Sequence, residues 1–330
     1  MRRREFLGAV CLAALLGPVT ALGQQSDRKR LVGVELAIDE DDRDGKRSVD
    51  AFQQELQQLG WTSENLRIEY RWGATTPEIA RTHAAELIKL KPDVIVSHAT
   101  IVTRAVAHES KTIPIVFTNV SDPINEKFVQ SFAKPGGNIT GFTNIESTMG
   151  AKYLQLLKDV APGVTRAAML FNPKSAPGGG SYFTDAFEAA APQFSIQAIK
   201  ATVQDAAGIE KAISTLAVNG GAGLIVVGEP FTNAHRSQIL ELTSRYRLPT
   251  ICPYRFYATN GCLLSYGVDL SDQFKRAATY VDRILKGTSA NSLPVQSPVK
   301  FELAINVKTA KALGLTIPPT LLARADEVIE

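Results

Sequence analysis

Apolar residues in this chain alternate between two patterns. Short runs rich in β-branched residues predict strands at 31–38, 66–72, 94–97, 113–120, 139–143, 167–171, 196–203, 224–227, 250–252, 262–265 and 300–305. Several are apolar throughout, as strands covered on both faces are. Between them the apolar positions recur at helical spacing. Val49, Phe52, Leu56 and Leu59 share one helix face, and Phe274, Ala277, Ala278, Val281 and Leu285 share another. Gly60 and Gly287 follow these helices, where a left-handed residue ends the last turn. This alternation predicts an α/β fold of parallel sheets with helices on both faces. The turn cluster Ala133-Lys134-Pro135-Gly136-Gly137-Asn138 separates two halves of similar pattern. The run at 300–305 follows a long helix and a second punctuated stretch, so that strand has to join a sheet already built.

The first 23 residues stand apart. Arg3-Arg4-Glu5-Phe6-Leu7 opens an apolar run that ends at Val19, and Ala21-Leu22-Gly23 supplies the small residues of a cleavage site. This is the pattern of a twin-arginine secretion signal. The run is short of the roughly 20 residues that a spanning helix needs. A mature chain starting near Gln24 and a periplasmic location are expected, with an uncleaved anchor as the alternative. Val10 precedes Cys11 inside the run, so a lipid anchor is not expected.

The 330 residues carry a formal charge of +3, and removal of the arginine-rich leader brings the mature chain close to neutral. That argues against nucleic acid or a membrane surface as the main partner, because phosphate binding needs a basic face. The length predicts two domains. The mature cysteines are Cys252 and Cys262. A bridge between them can form in an oxidising compartment. Both lie near predicted strand ends where side chains diverge, and two buried free thiols are the reading taken. No GxSxG, GxGxxG after a strand, Walker loop or HExxH is present. The histidines lack metal-ligand spacing, and an acidic loop beginning at Glu40 would place Ala51 where a calcium loop needs its last glutamate. No cofactor, metal or catalytic residue is expected.

Several motifs in order carry a family likeness. They are Lys91-Pro92-Asp93-Val94-Ile95-Val96, Ile113-Pro114-Ile115-Val116-Phe117 and Lys134-Pro135-Gly136-Gly137-Asn138-Ile139-Thr140-Gly141, then Phe171-Asn172-Pro173 and Ser265-Tyr266-Gly267. Tyr280-Val281-Asp282-Arg283-Ile284-Leu285-Lys286-Gly287 and Phe301-Glu302-Leu303-Ala304-Ile305-Asn306 close the series. With these the chain resembles the substrate-binding proteins of tryptophan/tyrosine-type ABC transporters, which have the type I periplasmic binding protein fold. The resemblance implies two doubly wound, Rossmann-like domains, 24–144 plus 267–292 and 145–266 plus 293–330. Three hinge crossovers near 144–149, 266–270 and 293–297 would join them. It also implies a monomer that captures a small solute, an amino acid or related carboxylate, in the interdomain cleft and hands it to permease subunits. Two loops depart from the family pattern: His98-Ala99-Thr100 and Asp39-Glu40-Asp41-Asp42-Arg43-Asp44.

In open α/β sheets ligands bind beyond the carboxyl ends of the strands. That places Ser97, His98, Ala99, Thr100, Thr118, Asn119 and Asp122 at the cleft from the first half. Asn172, Glu229, Phe231 and Tyr254 face it from the second, and Asn144 and Tyr266 from the hinge. A helix starting at Ala99–Thr100 offers N–H groups to a carboxylate. Asp122 and Glu229 are the candidate acceptors for an ammonium group. Phe231, Tyr254 and Tyr266 are the candidate apolar walls. Each also has a structural reading, as a helix cap, turn residue or core aromatic. A secreted α/β enzyme of esterase type and a ligand sensor of the same fold are the alternative functions.

Overall fold

The computed structural model describes residues 28–330, so the expected secretion signal lies outside the described residues. The strands are β1 (Arg30–Leu36), β2 (Leu66–Arg71), β3 (Val94–His98), β4 (Ile115–Val120), β5 (Ile139–Thr143), β6 (Arg166–Phe171), β7 (Gln197–Thr202), β8 (Ala222–Val226), β9 (Thr250–Cys252), β10 (Leu264–Val268), β11 (Phe301–Asn306) and β12 (Glu327–Ile329). The helices are α1 (Arg43–Gln58), α2 (Pro77–Lys89), α3 (Thr100–Glu109), α4 (Met149–Val160), α5 (Ser181–Ala190), α6 (Ala206–Ala217), α7 (Pro230–Ala234), α8 (Arg236–Arg245), α9 (Arg255–Thr259), α10 (Leu270–Leu285), α11 (Val307–Leu313) and α12 (Pro319–Leu322).

These strands form two sheets, one ordered β2-β1-β3-β4-β5 and the other β12-β11-β10-β9-β8-β6-β7. Neighbours run parallel except β10 and β11, which are antiparallel. Both orders reverse direction beside their first strand, the doubly wound pattern that opens a crevice at the strand ends. Side chains alternate across β1. Val32, Val34 and Leu36 pack beneath α1 and α10, against Phe52, Leu56, Phe274 and Val281. The opposite face of the first sheet packs Ile95, Ile115 and Phe117 against α2 and α3 through Ala84, Val102 and Val106. Each helix thus buries one stripe, as the periodicity of Phe52 and Phe274 requires.

The chain crosses between the sheets three times. After β5 it enters α4 of the second half. After β10 it returns to the first half, where Gln273 of α10 accepts from Asn119 N (2.8 Å) and donates to the Thr143 carbonyl (2.9 Å). The third crossing comes later than expected. Gln296 pairs with Phe142 alongside β5, and Leu293 and Val295 lie in the cores of the first sheet. Residues 293–296 therefore side with the first half. Tyr266, Gly267 and Val268 side with the second, because β10 stays paired with β11 through Val268↔Phe301. The late strand joins the second sheet, and β12 adds an edge strand beyond it.

The expectation of free thiols is corrected. Cys252 and Cys262 are joined by a disulfide with their Cα atoms 6.6 Å apart. β9 and β10 are adjacent parallel strands, and β9 is only three residues long, so Cys252 at its end stays within reach of Cys262 just before β10.

Candidate functional site

The carboxyl ends of both sheets face one another, and two side-chain contacts join the halves there. The Tyr254 hydroxyl, just after β9, donates to Asn119 Oδ1 on β4 at 3.0 Å. The Arg236 guanidinium, at the start of α8, donates to Asp42 Oδ1 at 2.9 Å. Asp42 also caps α1 by accepting from the Asp44 and Gly45 amides, which fixes its carboxylate against the helix. Arg236 is held in turn by the Asn233 carbonyl (3.1 Å) and by the face of Phe256, 5.4 Å away.

The contact at Asn119 reaches further. Its amide nitrogen lies 3.2 Å from His98 Nε2. Because Asn119 Oδ1 accepts from Tyr254, its NH2 faces the imidazole, so Nε2 accepts and the proton sits on Nδ1. Nδ1 is buried and has no partner, and the ring stacks on Phe274 at 5.7 Å. Burial pulls the His98 pKa down to about 3; the ring is neutral at physiological pH. Thr118, the register partner of His98 on β4, likewise has a buried hydroxyl without a partner.

Two cavities flank this Tyr254–Asn119–His98 chain. One, of about 30 Å³, lies where β1 and β3 end. Ala37, Ile38, Asp42, His98, Arg236 and Phe256 are among its walls. The other, only about 10 Å³ with the halves in contact, lies at the hinge and is walled by Asn144, Tyr153, Phe183, Tyr254, Gly267 and Phe301. The hinge cavity has no charged lining residue, whereas the first brings carboxylates and a guanidinium together. Gly267 is required at the hinge, because any side chain there would run into the Pro253 carbonyl.

Several expected ligand groups have partners within the protein. Ser97 Oγ shares a hydrogen bond with Thr103 Oγ1 at 2.8 Å, since position 97 faces the first turn of α3. Thr100 Oγ1 accepts from Ser121 N at 3.2 Å. Asp122 is half-buried and its carboxylate takes Asn125 N (3.4 Å) and Asn125 Nδ2 (2.8 Å), closing an Asx turn. Glu229 is 3% exposed and accepts from the Asn172, Phe231 and Thr232 amides and from the Ser175 hydroxyl. It forms a capping box with Thr232 and ties the α7 start to the loop after β6. Burial pushes its pKa up to about 7, with those four donors pulling the other way. Asn172 accepts from Lys174 N and closes a turn. Phe231 packs on His235 at 4.2 Å, and Tyr266 stacks on Phe301 at 5.6 Å. Asn144, which accepts from Ser121 Oγ at 2.8 Å, and Tyr254 do line the hinge cavity, and His98 lines the other. Ala99 begins α3 with φ 78° and ψ 158°, a conformation nearly confined to glycine.

Sequence reasoning missed Asp42 and Arg236 as a pair. The acidic loop is unusual in the sequence, but nothing local pairs it with a charge 194 residues away. Tyr153 and Phe183 were missed because they sit on helices, not after strands.

Three likenesses place this architecture. A curated relative, "Tyrosine-binding protein" of Clostridioides difficile, is 23% identical over 291 residues, covering 88% of this chain and 82% of that protein. A conserved domain protein of Vibrio cholerae superposes with a TM-score of 0.83 at 27% identity, covering 91% of this chain and 100% of that one. A Streptococcus pneumonia ABC domain in complex with L-Trp gives a TM-score of 0.83 at 21% identity, covering 92% and 100%. The fold they share is that of the type I periplasmic binding proteins. Among the described residues no helix is long and apolar enough to cross a membrane. The sequence model of the family "ABC transporter substrate binding protein" matches residues 31–329, nearly the whole described chain, and this protein belongs to that family.

Proposed function

We propose that this protein is the extracytoplasmic solute-capturing component of an ABC importer, and that it takes an aromatic amino acid or a related aromatic carboxylate into the cleft between its halves. One observation carries the reading: the carboxyl ends of both sheets meet across a cleft whose hinge cavity is walled by Tyr153, Phe183, Tyr254 and Phe301. Such walls match a flat ring. The relative named for tyrosine and the structure holding L-Trp support the same solute class. The arginine-led leader supports export to the periplasm by the twin-arginine route. Delivery to membrane permease subunits by a monomer completes the proposal.

A thermal-shift screen of the mature protein against the proteinogenic amino acids, aromatic acids, nucleosides and sugars tests it. A ligand at about 100 times its Kd stabilises the folded state by about 2.7 kcal/mol, a shift of several degrees. Shifts confined to aromatic amino acids or aromatic acids are the expected result. Shifts with sugars or nucleosides alone, or with nothing in the panel, would contradict it.

A further inference from the structure

The acidic loop after β1 has found its partner in Arg236, and the two groups face each other across the cleft. We propose that Asp42 and Arg236 form the head-group subsite for an α-amino acid zwitterion, whose carboxylate takes Arg236 while its ammonium takes Asp42. The inference rests on the solute reading above and assigns the chemistry of one end of that solute.

The geometry supports it in four ways. First, the two side chains come from opposite halves, α8 and the loop before α1, yet meet at 2.9 Å with the Arg236 side chain 23% and the Asp42 side chain 14% exposed. A direct pair in that position is what a zwitterion can replace: it offers each partner the same charge it now sees. Second, only Asp42 Oδ1 has partners, in Arg236 and the α1 amides, so Oδ2 is available to an ammonium. Arg236 uses its two terminal nitrogens on Asp42 and on the Asn233 carbonyl, with N–H groups to spare for a carboxylate. Third, an independent group lines the same cavity. His98 is 2% exposed and its Nδ1–H has no partner, and a buried donor in that state calls for an acceptor. Fourth, the carboxylates that sequence reasoning had assigned to the ammonium, Asp122 and Glu229, are engaged by neighbouring donors. Asp39 also borders the cavity but is exposed, where an ion pair contributes little. Ile38, Phe256 and Leu270 add an apolar part to a cavity wall that also carries Thr75 and Asn233.

Three probes separate the two charges: L-tyrosine, tyramine, which lacks the carboxylate, and 3-(4-hydroxyphenyl)propionate, which lacks the ammonium. Calorimetric titration of each is done on wild type, Arg236→Gln and Asp42→Asn. Asparagine keeps the helix cap, so Asp42→Asn removes the charge with the least cost to folding. Thermal melts without ligand confirm that each variant is folded.

Removing one partner of a desolvated charge pair weakens binding by about 30-fold to several-thousand-fold. Arg236→Gln is expected to weaken L-tyrosine and the propionate to that extent and to leave tyramine within a few-fold of wild type. Asp42→Asn is expected to do the reverse, hitting L-tyrosine and tyramine and sparing the propionate. Glu40→Gln, an exposed change on the same loop, should move none of them. Equal losses for all three probes in both variants would mean that the pair only latches the halves together, and would overturn the subsite. Unchanged L-tyrosine affinity in Arg236→Gln would also overturn it, while leaving the solute reading intact. Failure of wild type to bind any of the three probes, and L-tryptophan as well, would refute both.

Discussion

Glu35 offers a prediction whose size follows from its position. It lies in the middle of β1 with 0% exposure, between Arg71 of β2 and Ser97 of β3 in register, and neither carboxyl oxygen has a partner. Burial drives its pKa up from 4.5 to about 9, with the Arg71 charge pulling in the opposite direction. The folded protein therefore holds the proton while the unfolded chain releases it above its ordinary pKa. From there up to the folded value the unfolded state binds fewer protons, so stability falls as pH rises, by about 1.4 kcal/mol per unit. At pH 7 the accumulated loss is about 3 kcal/mol relative to a side chain that does not titrate. Glu35→Gln keeps shape and polarity and removes the titration. It is expected to exceed wild type in stability by about 3 kcal/mol at pH 7, or roughly 6–10 °C in Tm for a unit of this size. The advantage should shrink towards zero near the ordinary carboxylate pKa. Calorimetric melts of both proteins from pH 5 to pH 8 measure the difference, in which every other titrating group cancels. Melting curves that stay parallel across this range, or a wild type that gains on the variant as pH rises, would refute the argument.

Three other outcomes are expected. Ala99→Gly relieves a backbone conformation that costs an alanine about 1–3 kcal/mol, less the extra entropy of glycine in the unfolded chain, so urea unfolding should show a gain of about 1 kcal/mol; a loss would contradict the strain. Replacing Cys252 and Cys262 together by Ser should cost about 2–4 kcal/mol, and a reductant should lower the wild-type urea midpoint but not the variant's; a wild type indifferent to reductant would argue against the bond. Tyr254→Phe removes the hydrogen bond to Asn119 and leaves a buried amide oxygen unpaired, costing the closed arrangement about 1–3 kcal/mol. X-ray scattering of the ligand-free variant should then report a larger radius of gyration than wild type; identical scattering would show that this contact does not hold the halves together.

Much of the architecture could be read from the apolar pattern because it is set by burial on both faces. Runs such as Val94–Val96 and Ile115–Phe117 have no polar alternative in the chain around them, and they became the central strands of the first sheet. β12 escaped because its three residues, Glu327-Val328-Ile329, gain their strand pairing only from β11 and have no periodicity of their own. The third crossover was placed early because Leu293 and Val295 read as linker, whereas their burial comes from packing on the first sheet. The site was legible as a place and not as a set of atoms. Residues after strands do surround the cleft, but whether a polar atom is available depends on neighbours that no strand rule supplies. The Glu229 carboxylate is claimed by the amides of its own helix start, and the Glu229–Thr232 spacing of that capping box was in the sequence to be seen. The Asp42–Arg236 pair had no such local signature, because it exists only once the two halves meet. The disulfide depended likewise on two strands becoming neighbours.

The central claim is that the cleft of this family member captures an aromatic amino acid or aromatic acid. Isothermal titration of the ligand-stripped mature protein with L-tyrosine and with L-tryptophan, at two temperatures, tests it most directly. Saturable one-site binding of at least one of them is expected, with a negative heat-capacity change from burying the ring against Tyr153, Phe183, Tyr254 and Phe301. Absence of saturable heat from both solutes and from their desamino acids at millimolar concentration would contradict it.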